Sequence, residues 1–160
     1  MSSEPDRREA SGGEVWFYHL ERSGVEQILP ELLARCAAQG WRSLVSAGER
    51  VDLDALSHAL WSSRPESFLA HGLAGGPHDA LQPVLLTHGG DNANDAQALF
   101  ILGGANLPDM APFARTFVLF DGRIDSELEW ARSLWRHLRE AHGHIAYWKQ
   151  SQSGRWEKTA

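Results

Sequence analysis

Apolar and polar positions along the chain follow two rhythms, and the changes between them mark out the elements. Glu14–Leu20, EVWFYHL, is nearly continuous in aromatic and β-branched side chains. Too apolar to keep one face wet, it predicts a buried strand. Ile28, Leu32, Leu33, Cys36 and Ala37 then recur at helical spacing, with Ser23 as a candidate N-cap, Glu26 three residues on and Gly40 as a stop. A helix over 23–40 follows, with a kink or restart at Pro30. A short strand at 42–46 precedes a second helix at 51–61, whose Leu53, Leu56, Leu60 and Trp61 share a face. Residues 62–83, with Pro65, Gly72, Gly75, Gly76, Pro77 and Pro83, read as a long ordered surface loop of the kind that usually has a function. The runs Val84–Thr87, Ala98–Leu102 and 116–120 predict three more strands, and a third helix covers 126–141. Residues 145–148 and Trp156 predict a final strand or a packed tail. Strands alternating with helices argue for an α/β domain with a mostly parallel sheet flanked by helices.

Length and composition narrow this picture. A chain of 160 residues with 42% apolar and 22% charged side chains fits one domain, expected over residues 14–160. Residues 1–13 read as a disordered tail. That start, MSSEPDRREASGGE, has no apolar centre and no small-residue cleavage site, so it does not resemble a secretory signal. No apolar run is long enough to cross a bilayer as a helix, and a soluble, cytoplasmic protein is expected. Cys36 is the single cysteine, which excludes an internal disulfide and a cysteine-built zinc site. Its helical spacing places it in the core.

The formal net charge is −6, which weighs against strong direct binding of nucleic acid. The charge is uneven, however. Residues 131–158 hold Arg132, Arg136, Arg139, Lys149, Arg155 and Lys158 against Glu140 and Glu157, so this stretch is +4 and the remainder −10. A local cationic surface on an acidic protein suits an acidic partner.

An α/β fold raises the question of nucleotide chemistry, yet the turn after the first strand is Glu21-Arg22-Ser23-Gly24, without phosphate-loop glycine spacing, and no G-x-x-x-x-G-K-[ST] occurs. The pairs Gly89-Gly90 and Gly103-Gly104 read as loop geometry. The histidines, among them His71, His78, His137, His142 and His144, lack carboxylate or cysteine partners at ligand spacing, so no metal site is expected. No serine lies in a G-x-S-x-G elbow, and Asp121 reads as the first residue of an Asp-Gly turn. Neither catalytic nor cofactor-binding residues are expected. An orphan nucleotide- or metabolite-binding α/β enzyme remains the alternative. The third helix says more. At 100° per residue, Ile124, Ala131, Trp135 and Leu138 form an apolar stripe, with Arg139, Arg132 and Arg136 at about 20°, 40° and 80° beside it. Trp135 thus borders guanidiniums that suit carboxylates, although a solvated helix flank would look the same.

The stretch 60–76, LWSSRPESFLAHGLAGG, resembles the central signature of the DNA polymerase III chi family, and Ala131-Arg132, Trp135-Arg136, Gly143, Tyr147-Trp148-Lys149, Gly154, Trp156 and Lys158 are similar to its C-terminal pattern. With Trp16-Phe17-Tyr18 at the start, the resemblance covers about 14–158. It implies a single Rossmann-like domain without enzymatic activity, attached to the clamp loader through a psi subunit or another component. It also implies that the acidic C-terminal tail of single-stranded-DNA-binding protein is received by Arg132, Trp135 and Arg136. Leu128 stands where some members carry a further cation, with Arg139 as compensation here. Trp61, Phe68 and His71 in the signature loop become a candidate surface for psi or for a helicase, or else anchors of the loop to the core.

Overall fold

The central strands of the sheet are buried on both faces, which is why they read as unbroken apolar runs. The computed structural model of the chain describes residues 13–63, 70–141 and 144–159. Among these, the strands are β1 (Glu14–Leu20), β2 (Ser43–Ala47), β3 (Gly72–Leu73), β4 (Val84–Thr87), β5 (Ala98–Leu102), β6 (Arg115–Asp121), β7 (Ile145–Gln150) and β8 (Trp156–Lys158). The helices are α1 (Val25–Ala38), α2 (Leu53–Ser63) and α3 (Asp125–Ala141). The strands form one sheet in the order β3-β4-β2-β5-β6-β1-β7-β8, parallel except for the last pair. This is the mostly parallel α/β architecture expected from the alternating pattern, and the Rossmann-like domain that the family resemblance implies.

Side chains leave each strand alternately to the two faces. Tyr18, Leu20, Val45, Phe100, Leu102, Phe117 and Leu119 meet Leu29, Leu32, Leu33, Cys36, Leu56 and Leu60 of α1 and α2. Val15, Phe17, Leu44, Leu99, Ile101, Val118 and Phe120 meet Ala131 and Leu138 of α3 on the other side. There Ala105, Met110 and Phe113 complete the cover from the segment between β5 and β6. Cys36 lies in the first of these cores, 3% exposed, where burial pushes its thiol up to about 11. Such a thiol is protonated at neutral pH and chemically quiet.

Several details differ from the pattern-based expectation. The N-cap of α1 is Gly24, not Ser23: its N–H donates to Oε1 of Gln27 at 2.9 Å, a role Glu26 was expected to fill. Helix α1 runs through Pro30 as one element, with that proline buried, because the packing of the helix outweighs one missing backbone bond. The predicted loop holds β3, paired with β4, and a 3-10 turn at Asp79–Leu81. Ile124 is exposed and precedes α3, so the helix's buried line is Ala131 and Leu138 with Leu128, Leu134 and Trp135 partly buried beside it. The C-terminal alternative resolves as two strands, β8 running antiparallel along β7. Gly103 and Gly104 both have positive φ, 64° and 81°, as loop glycines do. Phe68 and all of the predicted tail except Gly13 lie outside the described residues.

Candidate functional site

The turn after β1 is where an α/β nucleotide fold offers backbone N–H groups to a phosphate, so its donors need accounting. They are taken internally. Oε1 of Gln150, at the end of β7, accepts from the N–H of Glu21 at 3.1 Å, Arg22 at 2.8 Å and Ser23 at 3.2 Å. Its Nε2 donates to the Ser23 hydroxyl at 3.2 Å, and the next N–H, of Gly24, is the one held by Gln27. One amide side chain does for this turn what an anion would do elsewhere. Asp121, at the end of β6, is occupied as well. Its Oδ1 accepts the N–H of Arg123 at 3.0 Å in an Asx-type turn, and both its oxygens take the Arg123 guanidinium at 2.9 Å. That guanidinium holds the Asp121 carboxyl below its ordinary range.

A crevice of about 630 Å³ opens at the carboxyl ends of β2 and β5 beside the start of α3. This is the usual place for a ligand in an open α/β sheet. Its walls carry both signs, Glu49 and Glu127 against Arg50, and its glycines serve the packing of two turns. A Cβ on Gly48 would lie 2.0 Å from the Gly103 carbonyl oxygen. Burial raises the pKa of the Glu127 carboxyl, opposed by the Asp121 N–H that its Oε1 accepts at 2.9 Å. Among the described residues no group of three or more His, Cys, Asp or Glu side chains could hold a metal ion.

A smaller cavity, about 100 Å³, has a more selective lining. It lies between α3 and the sheet, walled by Phe120, Ala131, Arg132, Trp135, Arg136 and Tyr147. The helix supplies residues at i, i+1, i+4 and i+5 from Ala131, which places two arginines and a tryptophan around the small Ala131 side chain. The strands supply the aromatic floor. Tyr147 of β7 pairs in register with Phe17 of β1, and their rings stack at 6.2 Å and 10°. Trp135 stands edge-on to both, 5.3 Å from Phe17 at 82° and 5.3 Å from Tyr147 at 89°. These contacts hold the indole against the sheet while the arginines stay exposed.

The electrostatics follow from this arrangement. Among the described residues no carboxylate pairs with Arg132, Arg136 or Arg139. Burial raises the Tyr147 phenol and Arg132 pulls it back, so that guanidinium is close enough to act on the hydroxyl. Unpaired guanidiniums over an aromatic pocket can take a carboxylate together with an adjoining apolar group.

The pocket brings together Arg132, Trp135 and Arg136, as the helix stripe indicated. Arg139 lies one turn on, exposed and outside the lining. Trp61 is 46% exposed at the end of α2, its ring 4.5 Å from that of His71. His71 is buried, with Nε2 2.8 Å from the Ser57 hydroxyl. Sequence reasoning did not place Tyr147 or Phe120 in the pocket, because β6, α3 and β7 meet only in the folded sheet. The repeated aromatic character of residues 147–148 was the one available signal.

Fold and site together define an α/β domain with an arginine-rimmed aromatic pocket, its turn after β1 closed by its own side chains. A family model described as "DNA polymerase III chi subunit, HolC" matches residues 13–146. The chain belongs to the DNA polymerase III chi subunit family. A curated relative from Rickettsia prowazekii (strain Madrid E), "Probable DNA polymerase III subunit chi", is 23% identical over 91 residues, 57% of this chain and 55% of that protein. The chain therefore spans about half the length of this relative. Among the described residues no helix is long and apolar enough to cross a membrane.

Proposed function

We propose that this protein is a non-catalytic, cytoplasmic accessory subunit of a DNA polymerase III assembly, linking its clamp loader to single-stranded-DNA-binding protein through that partner's acidic C-terminal tail. One observation carries the reading: the cavity under α3 sets Arg132 and Arg136, with no carboxylate partner among the described residues, against the aromatic wall of Trp135 and Tyr147. A peptide that ends in a carboxylate next to an aromatic ring has the complementary chemistry. Its terminal carboxylate takes the Arg132 fork and its ring meets the pocket wall, while Arg136 faces acidic side chains further along.

The second partner surface is the end of α2 and the segment after it. Trp61, Leu73 and Leu81 are exposed apolar side chains in this part of the chain, with His71 beneath Trp61. Trp61, Phe68 and His71, of which Phe68 lies outside the described residues, are the residues proposed to meet psi, another clamp-loader component or a helicase.

Calorimetric titration of an acidic, phenylalanine-ended peptide tests the tail site. Arg132→Ala is expected to weaken binding by roughly ten- to a hundredfold, since a hydrogen bond to a charged group is worth about 1.5–3 kcal/mol. Arg136→Ala is expected to cost less, up to about 1 kcal/mol for an exposed pair. If both variants bind like wild type, the tail does not bind on this helix.

A further inference from the structure

The Tyr147 wall of the pocket is coupled to a buried histidine. The Tyr147 hydroxyl lies 2.6 Å from Nδ1 of His19, and Nε2 of the same ring meets Oε2 of Glu21. His19 is 7% exposed on β1, packed 4.8 Å from the Phe120 ring. The backbone of Gly122 passes so close that a Cβ there would fall 2.0 Å from Nε2. Glu21, His19 and Tyr147 thus form a connected chain that ends at the cavity beside Arg132.

The proton positions follow from what each group can donate. An ionised carboxylate only accepts, so Nε2 carries a hydrogen and donates to Glu21. In the neutral imidazole Nδ1 is then a bare acceptor, and the Tyr147 O–H points at it. Only phenolic lone pairs remain for the cavity, and they do not attract an anion. When His19 takes a second proton, Nδ1–H donates to the Tyr147 oxygen instead. The phenolic hydrogen is released to donate elsewhere, and a positive charge is added behind the ring.

We infer that Tyr147, turned from acceptor to donor by His19, is a further contact for a carboxylate in this pocket, so that binding of an acidic peptide tightens as His19 gains a proton. This rests on the reading that the pocket takes an acidic tail. The groups facing His19 are Glu21 just after its own strand, Tyr147 and Lys149 from β7, Asp121 with Arg123 from the end of β6, and Arg132 from α3. Burial lowers the His19 pKa below its ordinary value, Glu21 opposes this, and Lys149 and Arg132 add to it. At neutral pH the ring is therefore uncharged. A carboxylate seated on Arg132 offsets one of those cations, so ligand and proton favour each other, and the coupling is reciprocal.

The test is calorimetric titration of the full chain with an acidic, phenylalanine-ended peptide at about pH 7.5 and about pH 5.5, a range in which the peptide's carboxylates stay ionised. Wild type is expected to bind on the order of fivefold tighter at the lower pH. His19→Gln is expected to bind at both values without that gain. Tyr147→Phe keeps the ring packed on Phe17 and Trp135 and removes only the hydroxyl, so it is expected to lose most of the gain even if His19→Gln proves unstable. Binding whose pH dependence is unchanged in these variants overturns the coupling and leaves the tail site standing. Absence of peptide binding by wild type at both values overturns the tail site and the coupling together.

Discussion

Gln150 illustrates how one residue can decide what a turn does. It sits 129 positions after Glu21, yet its carbonyl oxygen takes the successive N–H groups of the turn between β1 and α1, and its side chain is buried there. Gln150→Ala would leave those donors without an acceptor, and an unsatisfied buried donor costs about 1–3 kcal/mol. The thermal midpoint is expected to fall accordingly while tail binding at neutral pH persists, because the residues that line the pocket come from β6, α3 and β7. An unchanged midpoint would mean that water replaces the amide at no cost. The residue-scale features legible in advance were those with local causes. Cys36 in the core followed from helical spacing, and the Asp121 turn from a short polar side chain before glycine. The Gln150 plug was not legible, since no local pattern links positions so far apart.

Among the elements, α3 combines a structural face and the proposed binding face, and the two are expected to separate by mutation. Leu138 is 1% exposed against the sheet, whereas Arg136 projects from the cavity rim into solvent. Leu138→Ala is expected to cost about 2–5 kcal/mol of stability, the usual range for a truncated buried leucine. Arg136→Ala, an exposed site, is expected to stay within about 0.5 kcal/mol of wild type. Denaturant titration of both variants measures the difference, and comparable losses would mean that Arg136 packs as a structural residue. The stripe on this helix was readable because a 3.6-residue period sorts side chains by face wherever one side is buried. Which member of the arginine flank lines a cavity was not readable. Arg139 shares the flank, but the floor that makes Arg132 and Arg136 useful comes from β6 and β7.

At the scale of the whole molecule, the overall charge and the proposed ligand have the same sign. A protein of net charge −6 repels an acidic peptide at long range, so attraction depends on cations within a Debye length of the pocket, about 10 Å at 0.1 M salt. Tail affinity is accordingly expected to fall as salt rises, with a shallower slope in Arg132→Ala than in wild type. Titration at two salt concentrations checks this, and a salt-independent affinity would place the binding energy in apolar contact alone. What the sequence by itself determined about this protein was local: apolar runs that must be buried on both faces, helical stripes, a first turn without phosphate-loop glycines, and arginines beside Trp135. The tertiary structure decided the order of the strands, the pairing of β3 inside a predicted loop, the antiparallel β8, and the meeting of Tyr147 with Trp135 and His19. The physical reason lies in backbone pairing. Any two strands can join their N–H and C=O groups, so neighbours are selected by connections and by packing across the whole sheet, and a pocket built between elements exists only once that selection is made.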